Sequence, residues 1–191
     1  MSGPSSPPVA STTGAAHRDT DPVTTVPATA LATAAVARES EVEVLVGPHG
    51  RVHLLLDGSD TGGALSTLRV ELDEGSDGAT PHLHRHSSEL LHVLEGAADV
   101  LTGDRVITAT AGDLVVIPPG LPHAFAAARG HRVRLLLVFT PGIDRFDLFR
   151  SLHRVVTGTE PADGLLDLQD EYDTHFLVSP PWRAARARPN G

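Results

Sequence analysis

Short apolar segments alternate with turn residues over most of the chain, and this pattern predicts a β-rich domain. The segments are four to eight residues long, and Gly, Asp and Pro separate them. Strands at this spacing favour an antiparallel sandwich or barrel, and the intervals leave no room for the crossover helices of a parallel sheet. The predicted strands are Val42–Val46, Val52–Leu56, Leu65–Leu72, Glu89–Leu94, Ala98–Leu101, Arg105–Ala109, Leu114–Ile117, His123–Ala126 and Arg132–Phe139.

The apolar period changes after Thr140-Pro141-Gly142. Apolar residues then recur every three or four positions, which predicts a helix packed on the barrel. They are Ile143, Phe146, Phe149, Leu152 and Val155–Val156. A second short helix is predicted from Asp163 to Tyr172. The distinctive segment Tyr172–Phe176 suggests a fixed C-terminal segment that caps the barrel.

Both ends of the chain differ in composition from its centre. Residues 1–39 are mostly Ser, Thr, Ala and Pro with almost no large apolar side chains, and such a segment cannot form a core. We therefore predict a disordered N-terminal tail at 1–39, with some helix near Leu31–Arg38. A barrel at 40–141, a helical segment packed on it at 142–182 and a flexible tail at 183–191 complete the organisation.

Composition excludes several classes of function. The net charge is -9, which disfavours binding to nucleic acid. There is no cysteine, so disulfides and thiolate chemistry are excluded and any transition metal must be bound by His, Asp or Glu. No apolar run approaches the roughly 18 residues of a spanning helix, and the Ala-rich stretch Ala28–Ala37 lacks the charged start of a signal peptide. A cytoplasmic protein without a membrane partner is expected.

Three histidines and one glutamate form the candidate functional group. His82 and His84 lie two residues apart, so an extended strand presents both imidazoles on one face. Glu89 opens the next strand, and a tight turn at 86–88 would bring its carboxylate beside them. His123 begins the strand that follows a Pro/Gly turn. Imidazole and carboxylate ligands suit iron, nickel, copper, manganese or zinc.

The spacing of these residues resembles the two motifs of the cupin superfamily. The first motif is matched from His82 to Gly96: His-x-His, four residues, Glu, six residues, Gly. Its leading Gly departs from the pattern, because Gly78 precedes His82 by only three residues. The second motif is matched by Gly112, Pro118, Gly120 and His123, whereas Ala127 replaces its final Asn.

This resemblance implies an all-β cupin fold, a double-stranded β-helix or jelly-roll barrel, with short C-terminal helices. It also implies one divalent transition metal ion per chain, bound by His82, His84, Glu89 and His123. Single-domain cupins commonly pair through barrel faces, so a homodimer is expected. The apolar Leu90 and Leu94, on the strand face opposite Glu89, would pack against a second sheet or a partner chain.

The segment Leu135–Phe146, with its Thr-Pro-Gly turn, is similar to bacterial single-domain cupins that resemble quercetin 2,3-dioxygenase. This similarity implies a metal-dependent dioxygenase acting on a flavonol-like or other enolic or aromatic small molecule. Glu89 would be both a ligand and the catalytic base. An apolar lining would exclude water from the substrate, and its candidates are Leu91, Val93, Val116 and Phe125.

Two other classes of function remain open from the sequence. One is a non-oxidative metal-dependent cupin, such as a cyclase, isomerase or decarboxylase. The other is a non-enzymatic cupin that binds a small ligand. Nearby polar residues are interpreted as surface or packing positions without an assigned chemical role: Arg85, His86, His92 and Glu95.

Overall fold

The computed structural model describes residues 34–187. Within this range the chain forms ten β-strands and two α-helices. The strands are β1 (Glu43–Gly47), β2 (Gly50–Leu56), β3 (Ser66–Leu72), β4 (His82–Leu83), β5 (Ser88–Thr102), β6 (Arg105–Thr110), β7 (Leu114–Ile117), β8 (His123–Ala127), β9 (Val133–Thr140) and β10 (His175–Phe176). The α-helices are α1 (Phe146–Val156) and α2 (Pro180–Ala187), and the 3-10 helices are Ser59–Thr61 and Ala162–Leu168.

The strands form two antiparallel layers that share β5. One layer has the order β1-β2-β3-β9-β5-β7. The other has the order β10-β4-β8-β5-β6. This arrangement confirms the predicted all-β jelly-roll fold with C-terminal helices.

Strand β5 replaces two predicted strands, Glu89–Leu94 and Ala98–Leu101. Its pairing with β9 shifts register between Val93 and Glu95, as at a β-bulge. Gly96 follows with a φ of 74°, and any Cβ there would collide with the carbonyl oxygen of Arg132. The glycine therefore redirects β5 from one layer to the other while pairing continues, so it is not the strand break that the sequence suggested.

The core is made by the inward-facing residues of both layers, which alternate along each strand. Leu91, Val93 and Phe125, three of the predicted lining residues, are buried. The prediction for Val116 was wrong, because this side chain is 59% exposed whereas the adjacent Ile117 is 1% exposed. Consecutive residues of a strand face opposite sides, and in β7 the inward side belongs to Val115 and Ile117.

The C-terminal part differs from its prediction in two places. The helix expected at Asp163–Tyr172 is the shorter 3-10 helix Ala162–Leu168. The flexible tail was expected from residue 183, but α2 continues to Ala187. In α2, the guanidinium group of Arg186 donates to the carboxylates of Asp77 and Asp99, which the sequence spacing could not show.

Most of the predicted N-terminal tail, and residues 188–191 of the C-terminal tail, lie outside the described residues. Of the short helix expected near Leu31–Arg38, residues 34–38 are described, and they are not helical. Glu39 lies on the outer sheet surface, where its carboxylate accepts two hydrogen bonds of 2.7 Å from Arg69. Among residues 34–187, no helix is both long and apolar enough to cross a membrane.

Candidate metal centre

The structure brings all four predicted ligands together at one end of the barrel. His82 of β4 lies opposite His123 of β8, and Glu89 lies near the start of β5. His84 lies in the loop between β4 and β5. One potential ligand atom from each residue lies within 4.8 Å of the others. All four side chains are buried, none of them more than 6% exposed.

The carboxylate of Glu89 lies at the centre of the group. Its Oε2 atom is 2.7 Å from Nε2 of His123 and 3.2 Å from Nε2 of His84. The ring of His82 is 4.2 Å from that of His123 and 5.0 Å from that of His84, measured between centroids. Three imidazoles and one carboxylate thus surround a point that a single ion can occupy.

Each imidazole is also held from behind by a backbone carbonyl group. The Nδ1 atom of every ligand histidine lies within hydrogen-bond distance of one carbonyl oxygen. Since a carbonyl only accepts, Nδ1 carries the proton, and Nε2 of a neutral ring presents its lone pair to the centre. For His82, His84 and His123 the carbonyl groups belong to Thr80, Asp173 and Leu121, respectively.

This arrangement fits a bound cation. An unprotonated Nε2 of His123 and the carboxylate oxygen of Glu89 would oppose two lone pairs across 2.7 Å, so a proton or a metal ion must lie between them. Buried polar groups require such a partner. Nitrogen and oxygen donors of this kind suit the divalent ions of iron, nickel, manganese, copper or zinc. The four buried residues therefore match the metal site of a cupin in both donor type and position.

Without a metal, burial and the charges of neighbouring ligands shift the pKa values of these residues in different directions. Burial lowers the pKa of His82 to about 3, and the charges of His123 and His84 add to this effect. Burial would raise the pKa of Glu89, but hydrogen bonds from His123 and His84 outweigh it and lower the pKa. Burial also opposes protonation of His123, yet the hydrogen bond and charge of Glu89 raise its pKa. Glu89 is therefore ionised, the form that binds a metal.

A segment from the far C-terminal part of the chain supports the ligand loop. The carboxylate of Asp173 accepts backbone hydrogen bonds from Arg85, His86 and Ser87, at 2.7, 3.1 and 2.9 Å. The following strand β10 pairs with β4, so that Phe176 lies opposite His82. The sequence suggested a capping segment here but assigned it no role. The supporting role of Asp173 was missed.

One side of the ligand group is lined by apolar residues. The ring of Phe139 meets that of His84 edge-on, with 5.4 Å between their centroids. Phe139 and Ile117 are the cross-strand neighbours of Glu89 in β9 and β7, and both are buried. An apolar wall beside the ligands keeps water from this part of the barrel.

The other polar residues of the ligand segment face away from the centre. His86 is exposed, and His92 is half-buried on the face of β5 opposite Glu89. Arg85 forms a surface ion pair of 3.0 Å with Asp170, and Glu95 pairs with Arg134 at 2.8 Å. These positions agree with their interpretation as surface or packing residues.

Comparisons with known proteins agree with the fold. Residues 68–139 match the family model described as "Cupin domain". The barrel has the cupin fold. In solved structures, KdgF from Halomonas sp. is similar at 23% identity and a TM-score of 0.51, over 60% of this chain and 99% of that chain. An RmlC-like cupin from Shewanella frigidimarina is similar at 22% identity and a TM-score of 0.50, over 60% and 96% of the two chains. No curated protein matches.

Proposed function

We propose that this cupin is a metal-dependent dioxygenase that acts on a flavonol-like or other enolic or aromatic small molecule. The observation that carries the proposal is the convergence of three imidazole Nε2 atoms and one carboxylate beside an apolar wall. The similarity of Leu135–Phe146 to quercetin 2,3-dioxygenase-like cupins supports the substrate class.

In this proposal the three histidines bind the metal, and Glu89 both binds it and transfers a proton. His82, His84 and His123 would hold the metal, which would supply a Lewis acid for the negative charge of an enol or phenol oxygen. Glu89 completes the ligand set and accepts the proton of that enol or phenol. Its lowered pKa makes it a weak base while the histidines donate to it. With Nε2 of His84 and His123 bound to a metal, these two histidines would no longer donate hydrogen bonds to Glu89.

Oxygen consumption tests the proposal against its two alternatives. Purified protein is analysed for metal content and then mixed with quercetin and related enols in an oxygen electrode. Uptake of oxygen in proportion to substrate loss supports the dioxygenase. Product formation under strict anaerobiosis would instead indicate a cyclase, isomerase or decarboxylase. Saturable binding without turnover would indicate a binding protein.

The variant Glu89→Gln tests the proton-transfer role separately. The amide oxygen can still coordinate, so the variant should keep part of its metal, but it cannot accept the proton and should lose about 100-fold or more in turnover. Metal content and oxygen uptake are measured on the same preparation. A metal-loaded variant with near-native turnover would leave Glu89 as a ligand only.

A further inference from the structure

A buried arginine lies beside the metal centre and is not needed to build it. Arg145 directly precedes α1, and its side chain is only 1% exposed, as little as that of Glu89. Its backbone N–H donates to the carboxylate of Asp57 at 2.8 Å, so its place at the helix start is fixed. The contrast is Arg150 on the same helix, which is partly exposed and paired with Glu43 and Asp147.

The guanidinium group of Arg145 uses few of its five donors. One Nη atom donates to Oγ of Ser87 at 3.3 Å, and the buried Nε atom has no hydrogen-bond partner. Within residues 34–187, no carboxylate lies within ion-pair distance of its nitrogens. A buried charge is costly unless it is paired and hydrogen-bonded. The described part of the chain, residues 34–187, leaves this group with unused hydrogen-bonding capacity.

The arginine is connected to the ligands through one aromatic ring. Its guanidinium carbon is 4.1 Å from the ring centroid of Phe139, and the same ring meets His84 edge-on. Phe139 is also the cross-strand neighbour of Glu89. Ser87, which accepts the hydrogen bond from Arg145, lies in the loop between His84 and Glu89. Arg145 therefore contacts both the ring that packs on His84 and the loop that joins His84 to Glu89.

An arginine in this position is suited to recognise an anion. Its planar guanidinium group remains charged and matches a carboxylate with two parallel hydrogen bonds. The interaction is strong where water is excluded. A surface arginine such as Arg150 lacks this advantage, because solvent screens its charge. Its guanidinium group is also already paired with the carboxylates of Glu43 and Asp147.

We propose that Arg145 binds a carboxylate of the substrate, so that the substrate class is an enolic or phenolic acid. The inference rests on the proposed function: the enol or phenol oxygen is bound at the metal, and the carboxylate is bound by Arg145. It narrows the substrate from flavonol-like molecules in general to those that carry an acid group.

Binding of a matched pair of probes tests this assignment. Salicylate carries a phenol and a carboxylate, whereas salicylamide has nearly the same shape without the negative charge. Isothermal titration of metal-loaded protein with each probe gives the ratio of their dissociation constants. We expect the wild-type protein to prefer salicylate by at least about tenfold, the size expected for a charge-assisted pair out of water. Arg145→Met should bring the ratio close to one.

Two further variants, together with the metal content of the wild-type protein, separate failure of this inference from failure of the proposed function. Arg150→Met, on the exposed side of the same helix, should keep the wild-type ratio. Arg145→Lys, which keeps the positive charge, should recover part of the preference, and it also serves if Arg145→Met does not fold. A folded, metal-loaded Arg145→Met protein with the wild-type ratio, or a wild-type protein without any preference, would overturn the inference. A wild-type protein that binds no metal would refute the proposed function instead.

Discussion

His84 and Asp173 are linked by a hydrogen bond between residues 89 positions apart in the chain. The Nδ1 atom of the imidazole donates to the backbone carbonyl of Asp173, whose carboxylate accepts three backbone N–H groups of the loop that follows His84. One residue therefore orients a candidate ligand and also holds the loop that joins it to Glu89. The C-terminal segment is in this sense part of the metal centre.

The first prediction concerns the ligands themselves. His84→Ala or His123→Ala should remove most of the bound metal and leave the barrel folded, because the strands and the core do not depend on the ion. Elemental analysis and circular dichroism measure the two properties. The control is His86→Ala, which lies in the same segment but is exposed and should keep its metal. Full metal occupancy in both ligand variants would contradict the assignment.

The second prediction concerns Asp173. Asp173→Asn removes the charge and one acceptor from a carboxylate that serves three N–H groups, so the protein should lose about 1.5–3 kcal/mol of unfolding free energy. Metal affinity should fall about 10–100-fold, since outer partners orient the ligands. Urea unfolding and metal titration measure these effects. Asp170→Asn, an exposed neighbour that pairs only at the surface, should change neither.

The third prediction concerns the stability of the metal-free protein as pH falls. Burial lowers the pKa of His82 from 6.5 to about 3, so the unfolded chain takes up this proton first. The contribution of neutral His82 to the free energy of unfolding is complete above pH 6.5 and is lost as pH falls towards 3. Over this range the free energy of unfolding falls by up to about 1.4 kcal/mol per pH unit. Urea unfolding of chelator-treated protein at pH 7, 6 and 5 measures it. His82→Gln should show a shallower decline.

A contrasting variant checks the sign of this effect. Burial opposes protonation of His123, but Glu89 raises its pKa above the ordinary value. Protonated His123 therefore adds to the free energy of unfolding at pH values below its pKa in the unfolded chain, and this addition is lost as pH rises through its pKa in the folded protein. His123→Gln should therefore make the metal-free protein decline more steeply with acid than the wild type. The same slope in both variants would show that the two histidines do not titrate as their surroundings predict.

The fourth prediction concerns assembly. We propose that the chain forms a homodimer through the outer face of the layer that contains β5 and β7. Leu114 and Val116 are 56% and 59% exposed there, opposite His92 and Leu90 of β5, and such clustered apolar groups mark interaction surfaces. Val116→Asp should shift the protein to monomers in light scattering at micromolar concentration. Val178→Asp, in a loop elsewhere and 71% exposed, should not. A monomeric wild-type protein would contradict the proposal.

Much of the fold followed from local patterns in the sequence. Alternation with a period of two residues identified the strands, because side chains on a strand face opposite sides. The spacing of His82, His84 and Glu89 placed three ligands near one turn. The Pro/Gly turn before His123 directed the fourth ligand back toward them. These features depend on residues close together in the chain, and a sequence displays them directly.

Other features were decided only by the tertiary structure. Whether Val116 or Ile117 faces inward depends on the register of β7 against β5, and both residues are apolar, so the pattern could not choose. The backbone carbonyl group that orients His84 comes from Asp173, and a carbonyl group leaves no signature in a sequence. The burial of Arg145 against Phe139 likewise arises from packing α1 onto the barrel. Long-range packing, which no local period records, thus sets how the ligands are oriented and which charge lies beside them.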